Sequence, residues 1–106
     1  PGLAEEFPPG WTRLMLRNIP NRIAKDLLVE WLEDHGLKGV KYSVRVPQGS
    51  RRGVNAGYAF IEFANPADAA DRGLKLNGLR FQGSNSGKIT RVSPAQHQTR
   101  IGNAWR

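Results

Sequence analysis

Cysteine is absent from the 106 residues and histidine occurs only twice. These shortages exclude disulfide scaffolds, thiolate metal sites and thiol nucleophiles, and leave too few imidazoles for a zinc site of ordinary composition. Redox compartment stays open, because a chain without cysteine suits any of them. Long apolar runs are also lacking: none approaches the roughly 20 residues that cross a bilayer, and no charged-then-apolar leader opens the chain. Pro1 in place of Met points to a segment of a longer polypeptide. Acidic residues are scarce, 9 Asp plus Glu against 16 Lys plus Arg, for a net charge of +7. Residues 1–34 hold four cations and six anions, whereas 35–106 hold twelve and three. That asymmetry favours a polyanionic partner over a merely solvated surface, nucleic acid being the commonest for a small domain. A chain of this size buries about 65% of its unfolded surface, enough for one modest core.

Residues 1–11, rich in Pro with Glu5 and Glu6, read as an irregular lead-in from which Phe7 and Trp11 can dock. Arg13 to Asn18 predicts a strand, closed by the turn signal Ile19-Pro20-Asn21. Ile23, Leu27, Leu28, Trp31 and Leu32 recur at helical spacing, predicting a helix to about His35 with Gly36 as its stop. Val40, Tyr42, Val44 and Val46 alternate with polar residues in a second strand, ended by Pro47. A basic loop, Gln48 to Asn55, leads to a third strand over Gly57 to Phe63. Asn65 as cap and Pro66 at the first helical position start a second helix, with Ala67, Ala70 and Leu74 as its buried face. Leu79 to Gln82 is expected to pair as a ribbon, residues 83–87 to form a loop, and Lys88 to Val92 to form the last strand. Ser93-Pro94-Ala95-Gln96 reads as the opening of a third helix, with His97, Ile101 and Trp105 as a packing stripe.

The order strand, helix, strand, strand, helix, strand predicts an α+β fold, the ferredoxin-like split βαβ sandwich (βαββαβ). Two helices cover one face of a four-stranded antiparallel sheet, and a C-terminal helix is added. The expected boundaries are a lead-in at 1–11, the domain at 12–93 and a helical extension at 94–106.

The uncovered sheet face decides the function. Parity in the third strand sends Ala59, Ile61 and Phe63 to the core, and therefore Tyr58, Phe60 and Glu62 to the open face. Nucleobases stack on two such rings at about 1–3 kcal/mol each, whatever their identity. In the first strand Leu14 and Leu16 point inward while Met15 and Arg17 point outward. Arg17, Arg45 and Arg91 share the open face or its rim, where they contact phosphates or base edges; Asn18 and Asn55 are weaker candidates. Arg51 and Arg52, on the loop between the second and third strands, either steer the RNA backbone or are solvated. Ile89 shares the parity of Arg91, which calls for a bulge or for cover by the terminal helix.

The octamer Ala56-Gly57-Tyr58-Ala59-Phe60-Ile61-Glu62-Phe63 resembles that of the RNA recognition motif at every position but the first, where Lys or Arg is usual. Leu14 to Ile19 resembles the companion six-residue motif, with Met15 where an aromatic is usual. Taken with Leu16 to Arg22, Asn55 to Ile61 and the tail Ser93 to Trp105, the chain resembles the C-terminal RNA recognition motif of the Mei-two-like family over about residues 12–106. The resemblance implies an RNA-binding domain, usually the last in its protein, within regulators of meiosis and development. It also implies an extra helix after the fourth strand, with Ala95, Gln98 and Trp105 at matching positions. The expectation is therefore a monomeric, intracellular (nuclear or cytoplasmic) domain that binds single-stranded RNA on its sheet without catalysis, cofactor or metal.

Two other readings compete. In one, the terminal helix covers the sheet and the domain binds a protein through that helix, with Trp105, or through the acidic first helix; Glu30, Glu33 and Asp34 on the polar face of the first helix read as a solvated face that repels RNA from the wrong side. In the other, the fold hosts an acyl-phosphate hydrolase, which rests on fold analogy alone and gives the exposed aromatics no role. Gly83 to Lys88 has too short a spacing for a phosphate-binding loop, and neither His35 nor His97 has a visible nucleophile beside it.

Overall fold

In the first strand, β1 (Arg13–Arg17), alternation drives Leu14 and Leu16 into the interior and leaves Arg13, Met15 and Arg17 on the other face. The computed structural model describes residues 7–82 and 87–96. β1 lies at the centre of an antiparallel sheet of order β2-β3-β1-β4, with β2 at Tyr42–Arg45, β3 at Tyr58–Phe63 and β4 at Arg91–Pro94. Met15 stands opposite Phe60 on one side and Ser93 on the other, while Arg45 stands opposite Phe60 from β2. This register aligns every predicted outward position on one face.

Helix α1 (Lys25–Leu32) packs Leu28, Trp31 and Leu32 onto the sheet. Ile23 precedes the helix and is half-buried against the core. Leu27 does not join the stripe: it is 55% exposed. At about 100° per residue it sits roughly a quarter turn from the centre of the Leu28, Trp31, Leu32 face, so the sheet never reaches it. The stop falls as predicted, with Gly36 at φ 114, where a side chain is disfavoured, ahead of the buried Leu37.

The second helical segment, α2, starts at Pro66–Asp68, widens through Ala69–Gly73 and tightens over Leu74–Leu76. Asn65 caps it as expected, its Oδ1 accepting from the Asp68 amide at 2.8 Å, a contact worth about 1 kcal/mol. Its buried face is Ala69, Gly73 and Leu76, with Leu74 half-buried against the core as expected, while Ala67 and Ala70 are exposed. Gly73 explains the rotation. A Cβ there would come within 2.5 Å of Leu14 Cδ2 and 3.1 Å of the Phe63 ring, so the bare backbone lets the helix settle on the sheet.

Two expectations near the end of the chain are corrected. Leu79 to Gln82 forms no strand; Leu79 instead accepts from the Thr90 amide at 2.9 Å, and Thr90 accepts from Gly78 at 2.8 Å. The Thr90 hydroxyl is fully buried yet satisfied, donating to the Leu76 carbonyl and accepting from the Leu79 amide. Ser93 to Gln96 does not open a helix. Ser93 and Pro94 continue β4 opposite Met15 and Leu14, and the Ala95 amide donates to the Arg13 carbonyl at 3.0 Å. Pairing with the central strand satisfies more backbone groups than a local cap does, which is why the strand runs on. The remainder of the expected third helix, residues 97–106, and most of the 83–87 loop lie outside the described residues.

Candidate nucleic-acid interface

The sheet register arranges the open face in three rows. Arg45, Phe60, Met15 and Ser93 form the middle row, Tyr58, Arg17 and Arg91 a second, and Ser43, Glu62 and Arg13 a third. Phe60 thus sits in the body of the sheet rather than at its rim. Its ring meets Tyr58 edge-on, centroids 5.5 Å apart at 83°. That is a favoured aromatic geometry, worth about 0.5–1.5 kcal/mol. The two rings therefore do not present parallel faces, and a base lying flat on one meets the edge of the other.

Two guanidinium groups complete the surround of Phe60. Arg13 lies 4.6 Å from the ring centroid and Arg45 5.5 Å, within the range where the ring quadrupole attracts a cation. Arg13 was missed as a candidate, although it shares the strand parity of Met15 and Arg17 and that signal was sufficient to find it. Its Nε is buried and has no hydrogen-bond partner. Arg13, Arg45, Pro47, Tyr58, Phe60 and Gln96 line a cleft of about 340 Å³.

The other predicted residues divide clearly. Arg17 and Arg91 stand directly opposite each other, both exposed, so two like charges share one end of the face; Arg17 Nε also donates to Ser93 Oγ at 3.3 Å. Such a pair is unfavourable alone and relieved by an anion between them. Met15 lies half-buried between Phe60 and Ser93 and supplies apolar floor in place of a ring. Glu62 accepts from Thr12 Oγ1 at 2.6 Å. Asn18, at φ 63, uses its amide to hold the Ile89 carbonyl at 3.1 Å. Ile89, 42% exposed, lies before β4 and outside its pairing with β1, so strand parity does not govern it.

Arg51 and Arg52 are not brought to the sheet. They stand exposed at the tip of a loop whose base is closed by the Gln48 to Asn55 bridge. Asn55 is corrected from a contact candidate to a structural clasp. Only 7% exposed, it donates to the Pro20 and Ile23 carbonyls at 2.9 and 3.2 Å and accepts from the Gly57 amide at 2.7 Å. Those bonds tie the β1–α1 connection to the entry of β3, placing Tyr58 in register. Across the sheet, Tyr42 donates to Glu33 at 2.7 Å. Burial first, then this hydrogen bond and the charge of Glu33, push its hydroxyl up to about 12. Among the described residues no three His, Asp or Glu side chains converge as a metal site.

The fold is that of the RNA recognition motif. A structure of the Rna15 domain with bound RNA aligns with a TM-score of 0.63 at 18% identity, covering 85% of this chain and 88% of that one. Sex-lethal RNA recognition domains 1 and 2 from Drosophila melanogaster align with a TM-score of 0.61 at 25% identity, covering 81% of this chain and 50% of that one. Residues 11–104 match the family described as RNA recognition motif 2, and the chain belongs to it. Among curated proteins it is similar to Protein MEI2-like 7 of Oryza sativa subsp. japonica, 35% identical over 89% of this chain and 29% of the relative. Protein MEI2-like 1 of Arabidopsis thaliana is 30% identical over 82% of this chain and 9% of the relative. The chain therefore spans less than a third of the length of either relative.

Proposed function

We propose that this domain binds single-stranded RNA across the open face of its sheet, as one part of an RNA-regulatory protein, and performs no catalysis. The observation that carries the reading is Phe60, half-buried in the middle row between two guanidinium groups, on a face with four arginines and one glutamate. A base stacks on Phe60, with Tyr58 at its edge and Met15 beneath. Arg17 and Arg91 take a phosphate or base edge between them, and Arg13 and Arg45 bracket the stacked base. Arg51 and Arg52 meet the backbone at the margin. Salt separates these roles, since each phosphate contact contributes to the slope of affinity against ionic strength and stacking does not. Titrating a labelled set of short single-stranded RNAs at two salt concentrations, with amide shifts mapped, tests the reading. Shifts concentrated on β1 and β3 support it; shifts confined to the helices overturn it. The domain acts as an intracellular monomer in this reading.

A second reading is favoured by Gln96, which lines the same cleft as Phe60 and Tyr58. The tail that follows is then a cover for the platform, and deleting residues 97–106 raises RNA affinity.

A further inference from the structure

The misplaced Leu27 marks a second surface. Leu27, Glu30, Trp31 and Asp34 fall at i, i+3, i+4 and i+7 and form a stripe on the first helical segment that meets its core-facing stripe only at Trp31. With Ile23 and Phe81 they line a cavity of about 410 Å³, a size suited to a bulky side chain and its flanks. Its floor is rigid and aromatic: Trp31 and Phe81 stack with centroids 4.0 Å apart at 19°. Its wall is Leu27, 55% exposed. The Trp31 Nε1 is buried with no hydrogen-bond partner.

Charge on this surface runs against the rest of the molecule. In a chain of net charge +7 the cavity is bordered by Glu30 and Asp34 against one arginine, Arg22. Among the described residues, neither carboxylate is in an ion pair. RNA is repelled from such a rim, and an apolar side chain carried between cations is drawn to it. We infer that this groove docks a segment of another protein in which one large aromatic residue is flanked by Lys or Arg. The aromatic group enters against Trp31, Phe81 and Leu27, and the flanking cations pair with Glu30 and Asp34. The surface lies apart from the stacking face, since none of its lining residues belongs to the sheet, so both partners can be held together.

The probe is a blocked peptide, Lys-Arg-Trp-Arg-Lys, titrated into the isotope-labelled full chain. Amides of Ile23, Leu27, Trp31, Asp34 and Phe81 shift, and those of Tyr58 and Phe60 do not. Glu30→Lys with Asp34→Lys weakens binding at least about tenfold, a loss of roughly 1.4 kcal/mol, and Leu27→Glu does the same. All three positions are exposed and lie off the sheet, so the variants fold and leave the stacking face intact. Replacing the peptide's Trp by Ala abolishes binding. Equal binding of that Ala peptide, equal binding by the charge variants, or shifts confined to the sheet face each overturn the inference. So does movement of the same amides on removing residues 97–106, which makes the chain's own Ile101 and Trp105 the occupant, or on raising protein concentration alone, which makes it a second copy.

Discussion

In Phe60→Ala the open face loses its central ring while the layer beneath it, from Leu14 and Leu16 to Ile61 and Phe63, stays intact. The RNA effect follows from one stacking station. Losing about 1–3 kcal/mol of base–ring contact weakens binding roughly fivefold to 150-fold at 25 °C. The cost to folding is separate and is read from the ring's own neighbours. Phe60 forfeits cation–π contacts to Arg13 and Arg45 and the edge contact to Tyr58, together about 1–3 kcal/mol. Phe63→Ala, by contrast, empties a site 2% exposed and costs about 3–5 kcal/mol. Anisotropy titrations of short labelled RNAs, beside thermal melts, separate the two effects. Phe60→Leu sharpens the test, because leucine keeps apolar volume and lacks a π face: it should fold better than the alanine variant and bind RNA no better. Affinity in Phe60→Leu within twofold of wild type would refute stacking as the mode of recognition.

Three further outcomes are expected. Arg13→Ala weakens RNA binding about threefold to tenfold, roughly 0.7–1.4 kcal/mol, and Arg13→Lys does not restore it, because an ammonium lacks the planar face that stacks beside a base; full rescue by lysine in the same titration reduces Arg13 to a point charge. Asn55→Ala leaves the Pro20 and Ile23 carbonyls and the Gly57 amide without their partner and costs roughly 2–4 kcal/mol in urea unfolding, while the folded fraction binds RNA normally; lost binding at unchanged stability would restore Asn55 as a contact residue. The hydroxyl of Tyr42, pushed up to about 12 from its ordinary 10.0, keeps its proton longer in the fold than in the unfolded chain. Its contribution is therefore complete below pH 10 and lost as pH rises through 12, so wild type should lose stability relative to Tyr42→Phe as pH rises from 10 to about 12, and a gap independent of pH contradicts the assignment.

Much of this molecule is written in short-range pattern. The alternation in β1 and β3 alone separates Leu14, Leu16, Ala59, Ile61 and Phe63 from Met15, Arg17, Tyr58, Phe60 and Glu62, because strand parity is a property of the local backbone. The same holds for the Asn65 cap and the Gly36 stop, which need only their neighbours. Other features belong to the tertiary structure, because their partners arrive from distant parts of the chain. Ser93 carries a capping signal, yet it becomes strand, since Met15 and Arg17 of the central strand offer it a ladder and a side-chain bond across 76 positions. Asn55 looks like an exposed loop amide until Pro20 and Ile23 close over it. The buried face of α2 turns on Gly73, whose missing side chain sets how closely helix and sheet approach. Parity already assigns Arg13 to the open face, but its closeness to Phe60, like Leu27 left outside the core, follows from register and helix docking, which only three-dimensional packing decides.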